Sequence, residues 1–500
     1  MKALLINPYY VIPGVWTPYF PDEPLALEYL AAIVADGHDV QILDCVGEFP
    51  HQYKGLPSGQ VRVGAYPEQI KARISAWRPD LVGITIQFFT QMQQAYDTSR
   101  LVKEVDKNIV TVVGGAYACA VPERVLSENL AIDIVVVGEG ELTFRELLDK
   151  EATGLDEIKG IVYRKGNSIV RNEPRELIDN LDEIPFPQRD LVPFDNYSSS
   201  LLIGSFRGRL NTLITWLRFN RDWERIKIRL RHLLTSRNLA PFRGYSPVRR
   251  ACILTSRGCT FDCHFCSLRS IYGRRYRMRS PGNVLEEIEM LAKDYGVGAI
   301  GIVDENFNVS QKRLIELCKG VIERSINVNF LALGGHLAPW LDFETLSLMN
   351  KAGFHELWFG VENADQEILK KVLNKNIDLN NVEGVANACQ EAGIIPASCF
   401  MIGVPGETIK TMENTVAFAL KSGLKKVVLY TFQPMPGTKL YDDCVENGWL
   451  VDGYDPSRAL PHSSRSYINT PEFSPEDVFR IAEKGKKLLR KAGKMEQPRE

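Results

Sequence analysis

Three cysteines lie within eight positions of the stretch TSRGCTFDCHFCSLRS, residues 255–270. Three residues separate Cys259 from Cys263, and two separate Cys263 from Cys266, so a single loop carries three thiols. A structural zinc ion usually takes four ligands in two spaced pairs, and the nearby candidate for a fourth ligand, His264, lies between two of the cysteines. Three thiolates suit instead a [4Fe–4S] cluster with one iron left open, because an ordinary cluster takes four cysteines. The open iron would bind a substrate or a cofactor, and a zinc site is the alternative.

A repeat of strands and helices from residue 251 onward must position this loop. Helical patterns such as VLEEIEMLAKDYG separate six short apolar segments, which we interpret as parallel strands. The segments are ACILTSRG, VGAIGIVDENF (297–307), VNFLALGG (328–335), ELWFGVE (356–362), IPASCFMIGVPGE (395–407) and KVVLYTFQPMPGT (426–438). The pattern predicts a partial or full β/α barrel. It puts the cysteine loop directly after the first strand, at the end where barrel enzymes carry their chemistry.

The first 150 residues contain a second repeat of the same kind. Helix-length stretches separate five β-branched apolar segments that end in Gly, Asn or Asp. These segments are ALLIN (3–7), VQILD (40–44), LVGITI (81–86), IVTVVGG (109–115) and DIVVVGEG (133–140). They predict a doubly wound parallel sheet whose ligand lies beyond the carboxyl ends of the strands.

The sequence divides into five parts, and its fold class is α/β. We expect a doubly wound domain at 1–150, a β-rich connector at 151–200, a basic amphipathic insertion at 201–250, the β/α barrel at 251–445 and a C-terminal extension at 446–500. The insertion interleaves twelve Lys and Arg with Trp, Leu and Ile and contains two acidic residues. This composition suits either contact with a membrane surface or a helical pair that bridges the domains.

The bulk composition is that of an ordinary globular protein with more than one domain. Among its 500 residues, 45% are hydrophobic and 24% are charged, and the net charge is −2. This near-neutral balance gives no general attraction to nucleic acid, and none is expected as a partner. The start, MKALLINPYY, enters a strand pattern at once and shows no cleavage site for a signal peptide. We therefore expect a cytoplasmic protein, in which the remaining scattered cysteines are packing residues.

The cysteine spacing C-x3-C-x2-C, with the aromatic Phe265 before the last cysteine, resembles the radical S-adenosylmethionine (SAM) superfamily. In that family the three cysteines hold three irons of a [4Fe–4S] cluster, and SAM chelates the fourth iron. One electron then cleaves SAM to give a 5′-deoxyadenosyl radical. The resemblance implies an external electron donor such as flavodoxin or ferredoxin.

The same resemblance implies cofactor-binding residues at the ends of later barrel strands. GIVDENF ends the second strand, where the family contacts the methionine amine, and GVEN ends a later strand, where it contacts the ribose or carboxylate. FMIGVPGET resembles the motif that lines the adenine. The residues expected to bind SAM are Phe265, Asp304, Glu305, Asn306, Glu362, Gly403, Pro405, Gly406 and Glu407. After the cysteine loop, Arg277 and Arg279 are candidates to pair with a carboxylate.

The N-terminal pattern P…LEYLAA…GHDVQILD…VGIT…VVGGAY…VVVGEGE resembles the cobalamin-binding domain of B12-dependent radical SAM enzymes. The residues implied to face the corrinoid are Thr85, Gly114, Gly115, Gly138, Glu139 and Gly140. Two departures stand out. The Asp-x-His-x-x-Gly pattern that gives cobalt a histidine is absent, since His38 in DGHD has the wrong spacing, and Tyr117 stands where relatives often carry histidine.

Together the resemblances imply an enzyme with three cofactors: a [4Fe–4S] cluster, SAM and cobalamin. We expect it to methylate an unactivated carbon of a small-molecule or lipid-like substrate. One alternative is a cobalamin-dependent radical oxidative cyclase, like the anaerobic magnesium-protoporphyrin cyclase, or another radical rearrangement without methyl transfer. Another is a catalytically silent corrinoid-binding protein. A tRNA methylthiolating enzyme is disfavoured, because the N-terminal domain lacks that family's additional cysteines. No catalytic side chain is predicted.

Overall fold

The computed structural model describes residues 1–13, 23–198, 249–335, 341–456 and 464–495. All but the last two residues of the insertion predicted at 201–250 lie outside the described residues, so neither prediction for it is tested. Among the described helices, none combines the length and apolar character needed to cross a bilayer.

The N-terminal part is built on a seven-stranded sheet. Its strand order is β10-β9-β8-β7-β6-β1-β3, and a three-stranded antiparallel sheet of order β2-β5-β4 lies beside it. The strands are β1 Lys2–Asn7, β2 Tyr10–Pro13, β3 Asp39–Asp44, β4 Tyr53–Gly55, β5 Gln60–Val63, β6 Leu81–Thr85, β7 Val110–Gly114, β8 Ile134–Val136, β9 Ile161–Lys165 and β10 Ser168–Arg171. All five predicted strands are present and parallel, in the doubly wound order 2-1-3-4-5 when they alone are counted along the chain.

Helices cover the first sheet on both faces. They are α1 Leu25–Val34, α2 Pro67–Trp77, α3 Met92–Val105, α4 Ala116–Ala120, α5 Pro122–Glu128 and α6 Gly140–Asp149. A further short helix, α7 Phe194–Ser198, packs against Arg249–Ile253, the first strand of the second sheet. The antiparallel hairpin β9–β10, which lies in the predicted connector, extends this sheet by pairing with β8. The boundaries of the predicted domains stay predictions.

The C-terminal part is an open barrel of six parallel strands, as predicted. The sheet order is β11-β14-β15-β16-β17-β18, which is the order along the chain. The strands are β11 Arg249–Ile253, β14 Val297–Ile302, β15 Asn329–Gly335, β16 Phe354–Glu362, β17 Ile395–Ile402 and β18 Lys426–Thr431, and a two-stranded ribbon pairs β12 Ser256–Arg257 with β13 Arg277–Met278.

Helices follow the barrel strands and close the chain. They are α8 Arg269–Tyr272, α9 Pro281–Lys293, α10 Gln311–Glu323, α11 Phe343–Lys351, α12 Asn381–Glu391, α13 Ile409–Lys421, α14 Lys439–Glu446 and α15 Pro475–Lys491, with a π-helical turn at Ile368–Val372. The last helix, α15, packs on α13 and β18. It covers one end of the open sheet with its apolar face.

A fully buried arginine joins the connector to both parts of the chain. Arg189 donates from Nη2 to the carbonyl oxygen of Cys252 in β11 at 2.8 Å. The same group lies 3.0 Å from Glu287 in α9, and Arg189 Nε lies 3.5 Å from Glu23, just before α1. Because a buried charge is tolerated only when it is paired, this cluster fixes the barrel against the N-terminal sheet.

Candidate active site

The cysteine loop leaves the barrel immediately after the short strand β12. Cys259, Cys263 and Cys266 are all half-buried. Between them, the backbone N–H of His264 donates to the carbonyl of Leu373 at 3.0 Å, and its ring Nδ1 lies 2.9 Å from the carbonyl oxygen of Val372. A carbonyl oxygen only accepts, so this ring nitrogen donates to it. His264 therefore anchors the loop to the π-helical turn.

The three thiols form a donor set that suits a cluster better than a single ion. All three thiols belong to one eight-residue loop. Burial, aided by the neighbouring Cys266 and Cys259 and opposed by Lys375, raises the pKa of the Cys263 thiol to about 12. In the described part of the chain, however, no three His, Cys, Asp or Glu side chains converge as one metal ion requires. In an iron–sulfur cluster each cysteine binds a different iron, so the sulfurs need not meet at one point. The residues present fit a [4Fe–4S] cluster.

Asp304 holds the beginning of the loop in place. Its carboxylate accepts from the backbone N–H of Thr255 at 2.6 Å, from the Thr255 hydroxyl at 2.6 Å and from the Ser256 hydroxyl at 2.5 Å. Burial raises the pKa of Asp304, and these hydrogen bonds act in the opposite direction. The predicted role of Asp304 was cofactor binding, whereas the structure places its carboxylate against the protein's own loop.

The next two residues carry buried oxygens that have no hydrogen-bond donor among the described residues. These are Oε2 of Glu305 and Oδ1 of Asn306. Asn306 Nδ2 lies 3.9 Å from Sγ of Cys259, which puts the pair beside the cluster position. Burial raises the pKa of Glu305 to about 7. Two unpaired acceptors beside the cysteines fit a ligand with N–H groups, such as the methionine amine of SAM.

Glu362 forms an ion pair that no local sequence pattern indicates. Its Oε1 lies 2.8 Å from Nζ of Lys375, and both side chains are largely buried. Lys375 lies 5.7 Å from the ring centre of Phe261, in the cysteine loop. No local motif marks Lys375, since its partners are brought to it by the fold. Phe265, also predicted to bind cofactor, is partly buried against the apolar core of the barrel.

Glu407 fixes the turn that the sequence assigned to adenine. The fully buried carboxylate accepts from Nδ2 of Asn363 at 2.8 Å and from the backbone N–H of Val404 at 2.9 Å. Gly403 lies against Val478 of α15, Pro405 is buried and Gly406 is exposed. The Glu407 side chain therefore stabilises the turn. The backbone of the turn is left to contact a ligand.

The predicted corrinoid residues lie together at the carboxyl edge of the first sheet. Thr85 and Gly114 are half-buried at the ends of adjacent strands. Gly115 has φ +104, and a Cβ there would lie 2.7 Å from the carbonyl oxygen of Ile86. Gly138 has φ +89, and a Cβ there would meet nothing nearer than 3.9 Å. Gly114, Gly115 and Gly138 present backbone without side chains at this edge, which suits the approach of a flat macrocycle.

Three other residues of the N-terminal part, Gly140, Tyr117 and His38, have different surroundings. Gly140 begins α6, and a Cβ on it would lie 3.3 Å from Leu30. Tyr117 is buried in α4, with its hydroxyl 3.3 Å from Sδ of Met92. His38 precedes β3 at the opposite edge of the sheet, with Nε2 2.8 Å from Asp149.

Glu139 joins the two halves of the site. Its carboxylate accepts from Arg257 Nη1 at 2.9 Å and from Arg277 Nη1 at 2.8 Å, and Arg257 also reaches Glu141 at 2.5 Å. Burial alone would raise the pKa of Glu139, but the two arginines outweigh it and hold the pKa below its ordinary value. The Arg277 carboxylate partner is thus Glu139, and Arg279 pairs with Glu287 in the same way.

The cysteine loop and the corrinoid edge face each other. Helix α8, which follows the last cysteine, packs against α4 at the carboxyl edge of the first sheet. The nearest atom to a Cβ on Gly138 is the carbonyl oxygen of Ile271, in α8. Arg257 lies two residues before Cys259 and bonds to the turn that carries Gly138. The fold therefore brings the two predicted cofactor sites to one interface.

Comparison with known proteins identifies this arrangement. A Radical SAM superfamily model matches residues 253–419, and a B12 binding domain model matches residues 15–148. The chain is 30% identical over 456 residues to an uncharacterized methyltransferase of Pyrococcus horikoshii, covering 89% of this chain and 85% of that protein.

Two further relatives match over most of the chain. One, 26% identical over 502 residues, is the cytidylyl-2-hydroxyethylphosphonate methyltransferase of Streptomyces wedmorensis, with 97% of this chain and 89% of that protein covered. The other, 26% identical over 425 residues, is the anaerobic magnesium-protoporphyrin IX monomethyl ester cyclase of Rubrivivax gelatinosus, with 80% and 67% covered.

Among solved structures, the fold resembles that of TsrM from Kitasatospora setae. TsrM is a radical S-adenosylmethionine methyltransferase, solved with tryptophan substrate and the SAM analogue aza-SAM. The TM-score is 0.69 at 18% identity, and the match covers 96% of this chain and 88% of that chain. At this identity the likeness shows the fold.

The fold and the matched domains define a radical SAM enzyme with an appended corrinoid domain. The chain belongs to the family of radical SAM enzymes that carry an N-terminal B12-binding domain. Its cofactors are a [4Fe–4S] cluster, SAM and cobalamin.

Proposed function

We propose that this chain is a methyltransferase that adds a methyl group to an unactivated carbon of a small-molecule or lipid-like substrate. When bound, the cluster and SAM supply a hydrogen-abstracting 5′-deoxyadenosyl radical, and cobalamin supplies the methyl group. The protein contributes binding, orientation and exclusion of water. A silent corrinoid-binding role is disfavoured, because the barrel presents three free cysteines in one loop and two unpaired acceptors for SAM.

Particular residues would hold each group. Cys259, Cys263 and Cys266 would bind the cluster, and the free oxygens of Glu305 and Asn306 would accept from the amine of SAM. At the opposing edge, Thr85, Gly114 and Gly138 would let the corrinoid approach the backbone. The further predicted SAM contacts are Phe265, Asp304, Glu362, Gly403, Pro405, Gly406 and Glu407. Those for the corrinoid are Gly115, Glu139 and Gly140.

The observation that carries the proposal is the contact of α8 with α4. Radical generation at the cysteine loop and methyl donation at the corrinoid edge must act on one substrate. The structure brings these two edges together, so a carbon held between them would be within reach of both.

The test uses the full-length protein, reconstituted anaerobically with iron, sulfide and cobalamin. With a one-electron reductant and SAM carrying a deuterated methyl group, we expect S-adenosylhomocysteine and deuterated methylcobalamin to form even without substrate. Mass spectrometry measures both. Cleavage of SAM to 5′-deoxyadenosine with no S-adenosylhomocysteine would overturn the methyltransferase assignment.

An oxidative cyclase is the second candidate, favoured by the cyclase relative from Rubrivivax gelatinosus. A cyclase would consume SAM as a radical source and has no need to move the methyl group of SAM to cobalt. The same labelling experiment therefore separates the two functions.

This chemistry also indicates the electron donor and the cellular compartment of the enzyme. An external one-electron donor such as flavodoxin or ferredoxin would reduce the cluster. A reducing cytoplasm suits the described cysteines, all of which are free thiols. Peripheral membrane contact through residues 201–250 is part of the proposal and is tested by flotation with anionic liposomes.

A further inference from the structure

A buried lysine stands beside the cysteine loop. The ammonium of Lys375 lies 2.8 Å from Oε1 of Glu362, and the residue is 8% exposed. It lies 5.7 Å from the ring centre of Phe261, two residues before Cys263. Burial of an ammonium is costly even when it is paired, so packing alone does not account for a lysine here.

The backbone is shaped around this ion pair. Glu362 has φ +70, in the left-handed region that most side chains avoid. Nδ2 of Asn374 donates to the carbonyl of Asp262 at 2.8 Å, which ties the lysine's segment to the cysteine loop. A Cβ on Gly360 would lie 2.6 Å from Nζ of Lys375, so glycine leaves the space that the ammonium fills. Strain of this kind concentrates at functional sites.

We propose that Lys375 sets the reduction potential of the iron–sulfur cluster and that Glu362 moderates its effect. The inference rests on the proposed assignment of Cys259, Cys263 and Cys266 as cluster ligands. Reduction adds one electron from the external donor, and no bond is made or broken. The added negative charge is stabilised by a nearby buried cation and destabilised by a nearby buried anion. Lys375 therefore makes the cluster easier to reduce, and Glu362 acts in the opposite direction.

Two neutralising variants should shift the potential in opposite directions. In Lys375→Met, we expect the ratio of reduced to oxidised cluster at a fixed solution potential to fall about tenfold, a shift of about 59 mV to more negative potential. In Glu362→Gln, the shift should be to less negative potential. Lys375→Arg keeps the positive charge, so its reduction potential should stay near that of the wild type. Redox titration of the anaerobically reconstituted full-length protein, followed by electron paramagnetic resonance without SAM, gives each value.

A nearby lysine provides the matched control. Lys371 lies on the π-helical turn and forms an exposed pair with Glu367, with side chains 73% and 66% exposed. Solvent screens such a pair, so Lys371→Met should leave the potential unchanged.

The outcomes separate this inference from the proposed function. Unchanged potentials in Lys375→Met and Glu362→Gln with full iron content would overturn the inference, as would shifts of the same sign. Should Lys375→Met fail to bind iron, Glu362→Gln alone decides, because the absence of a less negative shift contradicts the proposal. A wild-type protein that binds no cluster would instead overturn the assignment of the cysteines.

Discussion

Three consecutive residues after the second barrel strand, Asp304, Glu305 and Asn306, differ in whether their side-chain oxygens have hydrogen-bond donors. Asp304 accepts three hydrogen bonds from Thr255 and Ser256, so its carboxylate holds the beginning of the cysteine loop. Oε2 of Glu305 and Oδ1 of Asn306 have no donor among the described residues. A buried acceptor without a partner costs about 1–3 kcal/mol, so these oxygens are expected to meet a ligand. The Asp304 carboxylate thus supports the cysteine loop, whereas the oxygens of Glu305 and Asn306 are open to a ligand.

The Glu305→Gln variant tests this division. The substitution keeps the shape of the side chain and removes the negative charge that would attract the amine of SAM. We expect the affinity of the reconstituted protein for SAM to fall about tenfold, since hydrogen bonds to charged groups contribute about 1.5–3 kcal/mol. Equilibrium dialysis measures the affinity. Glu316→Gln, at an exposed position in α10, is the control. Equal affinities of the two variants and the wild type would contradict the assignment.

At this scale the sequence predicted what local spacing can show. Three cysteines in one loop stand out from their spacing. Glu305 and Asn306 are indicated by the resemblance of GIVDENF to the strand end that contacts the methionine amine in the radical SAM family. Lys375 has no such mark, because its contacts with Glu362 and Phe261 join segments far apart in the chain. Glu139 was assigned to the corrinoid from its glycine-rich turn, whereas its carboxylate pairs with Arg257 and Arg277. Only the assembled fold shows these partners.

At the scale of elements, short connections position the chemistry. Strand β12 carries Arg257 into the cysteine loop, and the turn before α6 carries Glu139 and Glu141 to meet it. Helix α8 packs on α4 at the same place. Because these contacts link the two domains on either side of the cofactors, they set the separation of the loop and the corrinoid edge.

Loss of Arg257 should weaken this link. In Arg257→Met, Glu141 loses its arginine and Glu139 keeps only Arg277, in surroundings where the three side chains are 5–8% exposed. Breaking a buried pair in this way costs about 3 kcal/mol. We expect the midpoint of thermal unfolding of the reconstituted protein to fall by roughly 5–10 °C, with loss of bound cobalamin.

An exposed ion pair provides the comparison. Arg171 and Glu123 are each 51% exposed, so Arg171→Met should change the stability by less than about 1 kcal/mol. If Arg257→Met were as stable as Arg171→Met and retained its cobalamin, the link between the domains would not depend on this cluster.

Glu407, in the turn after β17, should make the stability of the folded protein depend on pH. Burial raises the pKa of Glu407 from 4.5 to about 7 in the folded chain, despite hydrogen bonds from Asn363 and Val404 that lower it. The stability due to this protonated carboxyl is complete below pH 4.5 and is lost as the pH rises through 7. Glu407→Gln cannot ionise, so relative to the wild type it should gain on the order of 3 kcal/mol between pH 4.5 and 8.

Unfolding of both proteins in denaturant at several pH values measures this gain. The exposed Glu316→Gln variant should follow the wild type at every pH. A constant difference between Glu407→Gln and the wild type would show that Glu407 is ionised in the folded protein throughout this range.

At the scale of the molecule, the architecture was predictable because buried parallel strands have a clear sequence pattern. Both series of apolar segments formed the expected sheets, and the cysteine loop follows the first barrel strand as predicted. The hairpin Ile161–Arg171 lies in the predicted β-rich connector and extends the first sheet, a pairing that the sequence does not indicate because strand pairing across a long connection leaves no periodic signal. The facing of the two cofactor edges likewise depends on contacts between distant segments, such as Arg257 with Glu139.

The central claim is that three cysteines hold a cluster whose open iron binds SAM. Electron–nuclear double resonance on the anaerobically reduced protein, with SAM labelled by nitrogen-15 in its amine and carbon-13 in its carboxylate, tests it most directly. We predict that SAM changes the resonance of the wild-type cluster, that both labels couple to its electron spin, and that Cys263→Ala shows neither effect. A cluster whose resonance does not change when SAM is added, or a protein that binds zinc in place of iron, would contradict the account.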